Sequence, residues 1–266
     1  MKIHFVTIVL NGMPFISWHY PILRQLKTDW QWIIVEGVAA PEQCTSWCAP
    51  IPPGLSTDGT REYLDSIAAF DKRVVLLRSV YWHGKVAMLN AACELIQEPG
   101  LLWQIDSDEV WSASQIETMN RMFRQDKKRN CAWFFCRYFV GPDIAITGRN
   151  CGNNTDYEWN RVWKIKSGVR FKSHEPPKLE AFQEIPFAHK ETEANGLVFD
   201  HFAYATEAQV AFKEVYYGSE NNKCGGQYKG AIDRWKRLQS NMKWPTTIGK
   251  DFMPWVQSDN VKVDKI

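Results

Sequence analysis

Two aspartates and a glutamate stand together in the run Ile105-Asp106-Ser107-Asp108-Glu109. On an extended backbone alternate side chains point the same way, so Asp106 and Asp108 would share one side. Carboxylates that close repel one another unless a cation sits between them. Hard divalent cations prefer oxygen ligands, and Mg2+ or Mn2+ held this way keeps positions open for phosphate. The pair is therefore a candidate metal bridge to a nucleotide diphosphate. The alternative for the same residues is an acidic turn leading into a helix, where the helix dipole favours Asp and Glu.

The elements that must position this cluster can be read from the hydrophobic pattern. Residues 3–10 and 32–36 are β-branched and apolar, which predicts buried strands, as do 73–78 and 101–105. Helical spacing occupies 14–27, 60–70 and 85–96 between them. Short apolar strands alternating with helices predict an α/β fold with a mostly parallel central sheet and helices on both faces. Ligands in such sheets gather beyond the carboxyl ends of the strands. Asn11, Glu36, residues 79–85 and residues 106–109 all fall there. Residues 37–59 form a long irregular insertion containing CAPIPPG, and loops of that length in a compact domain are usually functional.

Beyond Asp108 the pattern changes. A helix is expected at 115–124, an aromatic-rich strand at 131–140, and further strands at 161–166 and 196–202, more antiparallel in character. From residue 207 the chain reads as helical and polar, broken by Gly225-Gly226 and Pro245. The expected organisation is one domain over 1–206, with a nucleotide-binding half (1–110) and an acceptor half (111–206), followed by a helical appendage (207–266).

Composition narrows the class. With 266 residues the chain is long enough to bury a sizeable core. Its 32 basic and 30 acidic residues nearly balance, which argues against a dedicated nucleic-acid binder. Seven cysteines cannot all pair, and a chain this long needs no staples, so reduced thiols and a cytoplasmic setting are expected. Cys44 and Cys48 have a metal-like spacing with no matching second pair. No apolar run approaches the ~20 residues of a membrane span. The 13 tryptophans call for a use: stacking on sugar rings or bases is one, filling the core the other.

Taken in order, several segments resemble the family 2 glycosyltransferases of the GT-A fold, over roughly residues 3–205. Thr7-Ile8-Val9-Leu10-Asn11-Gly12 resembles the family's opening strand and nucleotide-binding turn. Trp32-Ile33-Ile34-Val35-Glu36 resembles its second strand, with Glu36 where an Asp is usual. Ser56-Thr57-Asp58-Gly59-Thr60 is similar to part of its DGSTDGT run, here split by the long insertion. Gly84-Lys85 through Leu89-Asn90-Ala91 resembles the helix near the diphosphate, and Asp106-Ser107-Asp108 the DxD motif. Arg161-Val162-Trp163-Lys164, Phe171-Lys172-Ser173-His174-Glu175 and Asp200-His201-Phe202 resemble a bacterial branch that modifies glycans and lipopolysaccharide cores.

The resemblance implies an inverting, metal-dependent transfer from a nucleotide-diphosphate sugar, a UDP-sugar being favoured, to a hydroxyl of a glycan or lipid-linked acceptor. It implies Asn11, Glu36, Asp58, Lys85 and Asp106 as nucleotide-sugar contacts. It implies Asp106, Asp108 and His201 as ligands of Mn2+ or Mg2+, and Glu175 as the base, with Glu109 and Asp156 as its alternatives. Lys213, Lys223, Lys229, Arg234, Lys236 and Arg237, set among aromatic anchors, would suit an anionic acceptor or peripheral contact with the inner face of a membrane. The string WQIDSDEV also fits the nucleophile motif of haloacid-dehalogenase-like phosphatases, but the downstream residues of that class are missing. A sugar-nucleotide nucleotidyltransferase would need a Gly-rich loop that Asn11-Gly12-Met13-Pro14 does not provide. A catalytically silent sugar-binding protein would not need the Asp106/Asp108 pair.

Overall fold

The structure is a computed structural model that describes residues 1–42, 48–147, 160–218, 225–249 and 259–266. Its elements run β1 (Ile3–Val9), α1 (Ile16–Leu23), β2 (Trp30–Ala39), α2 (Thr60–Phe70), β3 (Val74–Trp82), α3 (Lys85–Cys93), β4 (Gly100–Gln104), β5 (Glu109–Val110) and α4 (Ala113–Gln125). There follow β6 (Cys131–Trp133), β7 (Cys136–Phe139), β8 (Ile144–Ile146), β9 (Asn160–Ile165), β10 (Phe171–His174), β11 (Pro177–Leu179), β12 (Pro186–Phe187) and α5 (His189–Ala194). The chain closes with β13 (Phe199–His201), α6 (Glu207–Tyr217), α7 (Ala231–Gln239), β14 (Thr246–Ile248) and β15 (Val261–Lys265).

The described residues fall into two compact units. The first comprises 1–42, 51–135 and 160–199. Its sheet has the order β12-β6-β9-β4-β1-β2-β3. Strands β3, β2, β1 and β4 are parallel, with Ile3 opposite both Trp30 and Leu101, and β9 runs antiparallel between β4 and β6. The expected mostly parallel α/β sheet is the one observed. Strands covered on both faces need continuous apolar sequence, and IHFVTIV and GLLWQ are buried almost throughout. Helix α3 buries Val86, Met88, Leu89, Asn90, Ala92 and Cys93, so it is apolar nearly all round. Helix α4 is amphipathic instead, with Ile116, Met119, Asn120 and Phe123 turned inward and a Ser112/Gln115 capping box at its start. Trp30, Trp32, Trp103, Trp111 and Trp163 are fully buried, so core filling accounts for most of the tryptophans placed in this unit.

The second unit holds 48–50, 136–147, 200–218, 225–249 and 259–266. Here β7 pairs with β8, β8 with β15 and β15 with β14, all antiparallel. Helices α6 and α7 pack together, and Glu214 of α6 accepts from the backbone N–H groups of Gly230 and Ile232 at the start of α7. The expected appendage over 207–266 is thus not helical alone, since β14 and β15 belong to it. The boundary drawn at 206 is also not where packing divides the chain, because residues 136–147 share this unit. Of the cations expected to face an anionic acceptor or a membrane, three are engaged locally. Lys213 donates to the Ala203 carbonyl, Arg234 to those of Lys229 and Gln227, and Lys236 pairs with Glu207. Lys223, with Cys44, Cys151, Asp156 and Cys224, lies outside the described residues. The cysteines Cys48, Cys93, Cys131 and Cys136 are free and buried. No helix among the described residues is long and apolar enough to cross a membrane.

Two strand expectations need correction. The aromatic stretch 131–140 is two strands, β6 and β7, lying in different sheets and broken at Phe134-Phe135. The second strand does not stop at Glu36 but continues to Ala39 across an irregularity between Glu36 and Val38. Gly37 makes that continuation possible. It has φ +136°, and a Cβ there would lie 1.8 Å from the Ser79 carbonyl oxygen of β3. Gly37→Ala is accordingly expected to lower unfolding free energy by on the order of 3 kcal/mol, through combined backbone strain and collision. Urea denaturation checks this, and an unchanged midpoint would remove the assignment of Gly37 as the residue that carries β2 onward.

Candidate functional site

The carboxyl ends of β1, β2 and β4 and the start of α3 each carry a cluster of polar side chains. The last carbonyl of β4's run is fixed by a relay across the sheet. Trp32 Nε1 donates to Thr7 Oγ1 at 2.9 Å, and that hydroxyl donates to the Ile105 carbonyl at 2.7 Å. Beyond it the chain turns, with the Glu109 N–H donating to the Asp106 carbonyl at 3.0 Å. Asp106 and Asp108 therefore sit in a tight turn and not on the extended backbone that their spacing suggested. Both are half-buried. Asp106 Oδ1 accepts from Gln104 Nε2 at 3.2 Å, and Arg161 Nη2 lies 3.5 Å from its Oδ2.

Glu109 and Arg161 close the turn from behind. Arg161, from β9, forks onto the Glu109 carboxylate with contacts of 2.7, 2.9 and 3.0 Å, and Glu109 has no exposed surface. Burial pushes the Glu109 carboxyl up to about 7, against the pull of the guanidinium. A carboxylate so enclosed does not reach an acceptor hydroxyl, which removes Glu109 as an alternative base.

A second network joins the turn after β1 to residues 56–60. Asn11, at φ +54°, donates its N–H to Ser56 Oγ at 3.0 Å and accepts from the Thr57 N–H at 2.8 Å. The Gly12 N–H donates to Thr60 Oγ1 and the Met13 N–H to Asp58 Oδ2, both at 2.9 Å. Backbone donors that a phosphate loop would point at its anion are here given to side chains of the 56–60 segment. Glu36 lies beneath, fully buried, accepting from the Ser56 N–H at 3.1 Å and from Arg78 Nε at 2.6 Å. The structure thus brings Asn11, Glu36 and Asp58 into one network, with Glu36 reaching the surface only through the loop it holds.

A third cluster lies where α3 meets the β10–β11 hairpin. Asn90 is buried and imitates a peptide group: its Nδ2 donates to the Phe171 carbonyl at 3.1 Å, and its Oδ1 accepts from the Phe171 N–H at 2.7 Å. The residue thus fastens the hairpin to α3. At the hairpin's tip, Glu175 Oε1 lies 3.2 Å from Lys85 Nζ and 3.2 Å from His174 Nδ1. Burial alone would raise the Glu175 carboxyl, but the Lys85 ammonium and the His174 hydrogen bond outweigh it and hold the group well below the usual carboxylate range.

His201 belongs to the second unit, its ring edge-on to Tyr138 at 5.0 Å. Among the described residues no group of three or more His, Cys, Asp or Glu side chains is gathered as for a metal ion. Sequence reasoning missed His19 and Gln104. His19 had a signal, a lone polar residue on the buried face Ile16, His19, Tyr20 and Leu23 of α1.

Residues 54–176, just under half the chain, match the family model described as Glycosyl transferase family 2. That span takes in the 56–60 loop, Lys85, Asn90, the Asp106–Asp108 turn, Arg161 and Glu175. A search of the curated proteins gives no match. Among solved structures, residues 1–349 of S. aureus TarS share 10% identity at a TM-score of 0.44, covering 92% of this chain and 76% of that one. A longer S. aureus TarS chain gives 14% and 0.36, covering 53% and 22%. The mannosyltransferase PcManGT from Pyrobaculum calidifontis, in complex with GDP-Man and Mn2+, gives 15% and 0.37, covering 52% and 36%. The chain thus spans well under half the length of the latter two. At such scores these similarities establish no function. The family match covers a segment of the chain that lies on a mostly parallel α/β sheet. The matched span includes WQIDSDEV, which is thus similar to that family rather than to the phosphatases.

The buried pair makes a direct prediction. Glu109→Ala leaves the Arg161 guanidinium without its forked partner and is expected to cost about 3–5 kcal/mol in unfolding free energy. Glu109→Leu combined with Arg161→Met, which removes both charges, should recover most of that loss. Chemical denaturation of the two variants checks it; equal loss in both would mean that the ion pair does not hold the turn.

Proposed function

We propose that the protein transfers a sugar from a nucleotide-diphosphate sugar to a hydroxyl of a glycan or lipid-linked acceptor, with inversion at the anomeric carbon. The observation that carries the reading is the match of residues 54–176 to the family, over the loops at the carboxyl ends of the parallel strands. The surface of the Asn11–Asp58 network receives the nucleoside, and Lys85, at the first turn of α3, faces the diphosphate.

The carboxylates of the 106–108 turn are hard oxygen donors, which fit Mn2+ or Mg2+ and not a softer ion. Asp106 and Asp108 are the carboxylates that would hold the cation, Asp106 from a position already braced by Gln104 and Arg161. The cation, when bound, supplies positive charge against the leaving diphosphate. Lys85 adds a second positive charge there. Glu175 takes the proton from the acceptor hydroxyl as that oxygen attacks. When Lys85 turns to the diphosphate, the ion pair that depresses Glu175 is broken and its basicity rises.

Thermal shift with UDP or GDP, with and without Mn2+, tests the donor site. Asp108→Ala should lose the Mn2+-dependent part of the nucleotide shift, and its retention would sink the metal assignment. Glu175→Gln should lower kcat by on the order of 10²-fold with donor affinity unchanged. The pH profile gives an independent check. A carboxyl held below the usual range stays ionised as pH falls, so in the donor-free enzyme kcat/KM should show no acid limb from Glu175 within that range. Lys85→Met removes the ammonium, raises the Glu175 pKa and should move an acid limb to higher pH; a limb in the same place would dissociate Glu175 from the proton transfer.

A further inference from the structure

His19 has no part in the roles assigned so far, yet it is 1% exposed and sits directly under the carboxylate turn. Its Nε2 lies 3.0 Å from the carbonyl oxygen of Ser107, the residue between Asp106 and Asp108. A carbonyl oxygen can only accept a hydrogen bond. The bond is therefore Nε2–H to oxygen. The other side of the ring is set by Trp32, whose indole meets it edge-on at 5.7 Å between centroids. Gly12 closes the turn from a second direction, since a Cβ on it would stand 3.2 Å from the Ser107 Cβ.

The Ser107 carbonyl and the Asp108 N–H are the two ends of one planar peptide unit. Holding the oxygen fixes that plane, and with it the N–Cα bond of Asp108 about which its side chain is carried. Asp106 in addition receives bonds on its own carboxylate from Gln104 and Arg161. We infer that His19 is a positioning residue for Asp108: by hydrogen-bonding the Ser107 carbonyl it aims the Asp108 carboxylate at the divalent cation and diphosphate of the donor. This rests on the reading of the 106–108 turn as the donor-diphosphate site. A partner one bond removed from a metal ligand typically changes metal affinity by about 10–100-fold when lost.

The test compares three substitutions by a binding readout, the Mn2+ concentration that half-saturates the UDP-induced thermal shift. The amide nitrogen of Gln stands where Nε2 does, whereas that of Asn falls short, and Leu has no donor. His19→Leu and His19→Asn should raise the half-saturating Mn2+ about tenfold or more, and His19→Gln should stay within about threefold of the parent. UDP binding without metal should be unchanged in all three. If His19→Leu does not fold, the Asn and Gln variants decide between them, since both bury an amide. Equal half-saturation in Asn and Gln, or an unshifted value in Leu, overturns the inference while leaving the donor site in place. A Mn2+ response that survives Asp108→Ala overturns the underlying reading and the inference with it.

Discussion

Glu109 and Arg161 are ionisable groups with almost no access to water, and the carboxyl end of β4 is arranged around keeping them together. Withdrawing two ions from solvent costs several kcal/mol for each, recovered only when the geometry is close and every remaining donor is satisfied. The guanidinium fork meets that condition on the carboxylate. It does so because β9 enters the sheet antiparallel, with Val162 opposite Trp103, so that Arg161 stands next along toward the end of β4. Were β9 in another register, the guanidinium would face an apolar layer and the turn carrying Asp106 and Asp108 would lose its backing. The reversal of one strand in an otherwise parallel set is thus tied to a chemical requirement at the site.

The three polar clusters share a manner of construction. In each, a side chain bonds to a backbone group of a segment it does not belong to: Thr7 to Ile105, Asp58 to Met13, Asn90 to Phe171. Segments held in this way need little ordering when a ligand arrives, and groups already oriented are worth more against developing charge than groups that must be gathered. The Lys85–Glu175 pair differs in that its partners belong to opposite sides of the proposed reaction, one to the donor and one to the acceptor.

Much of this was legible in the sequence, to a depth set by how local the information was. Helix α2 was expected over 60–70 and occupies those residues, because Thr60, Leu64 and Ile67 mark its inner face and Gly59 adopts the left-handed conformation before it. The carboxylates were identified by type, but their backbone was taken as extended. What ends β4 there is a hydroxyl from β1, nearly a hundred residues earlier, and no spacing rule contains it. Glu36 was placed at the nucleoside because it ends an apolar run. Its burial follows from Arg78 and the Ser56 N–H, both remote in sequence. The break inside 131–140 was invisible because the residues on either side are equally aromatic, and only their partner strands differ.

The second unit is assembled from separated parts of the chain, and this has a temporal side. In its sheet β15 lies between β8 and β14, with Val263 opposite Ile146 and Thr246. During synthesis β7 and β8 emerge early, and the edge of β8 that β15 will cover stays open until residues 261–265 have been made. An open strand edge is a template for pairing with another chain. The interval between those two moments is when a nascent molecule is most exposed to its neighbours, and a chain cut short of β15 would never leave it.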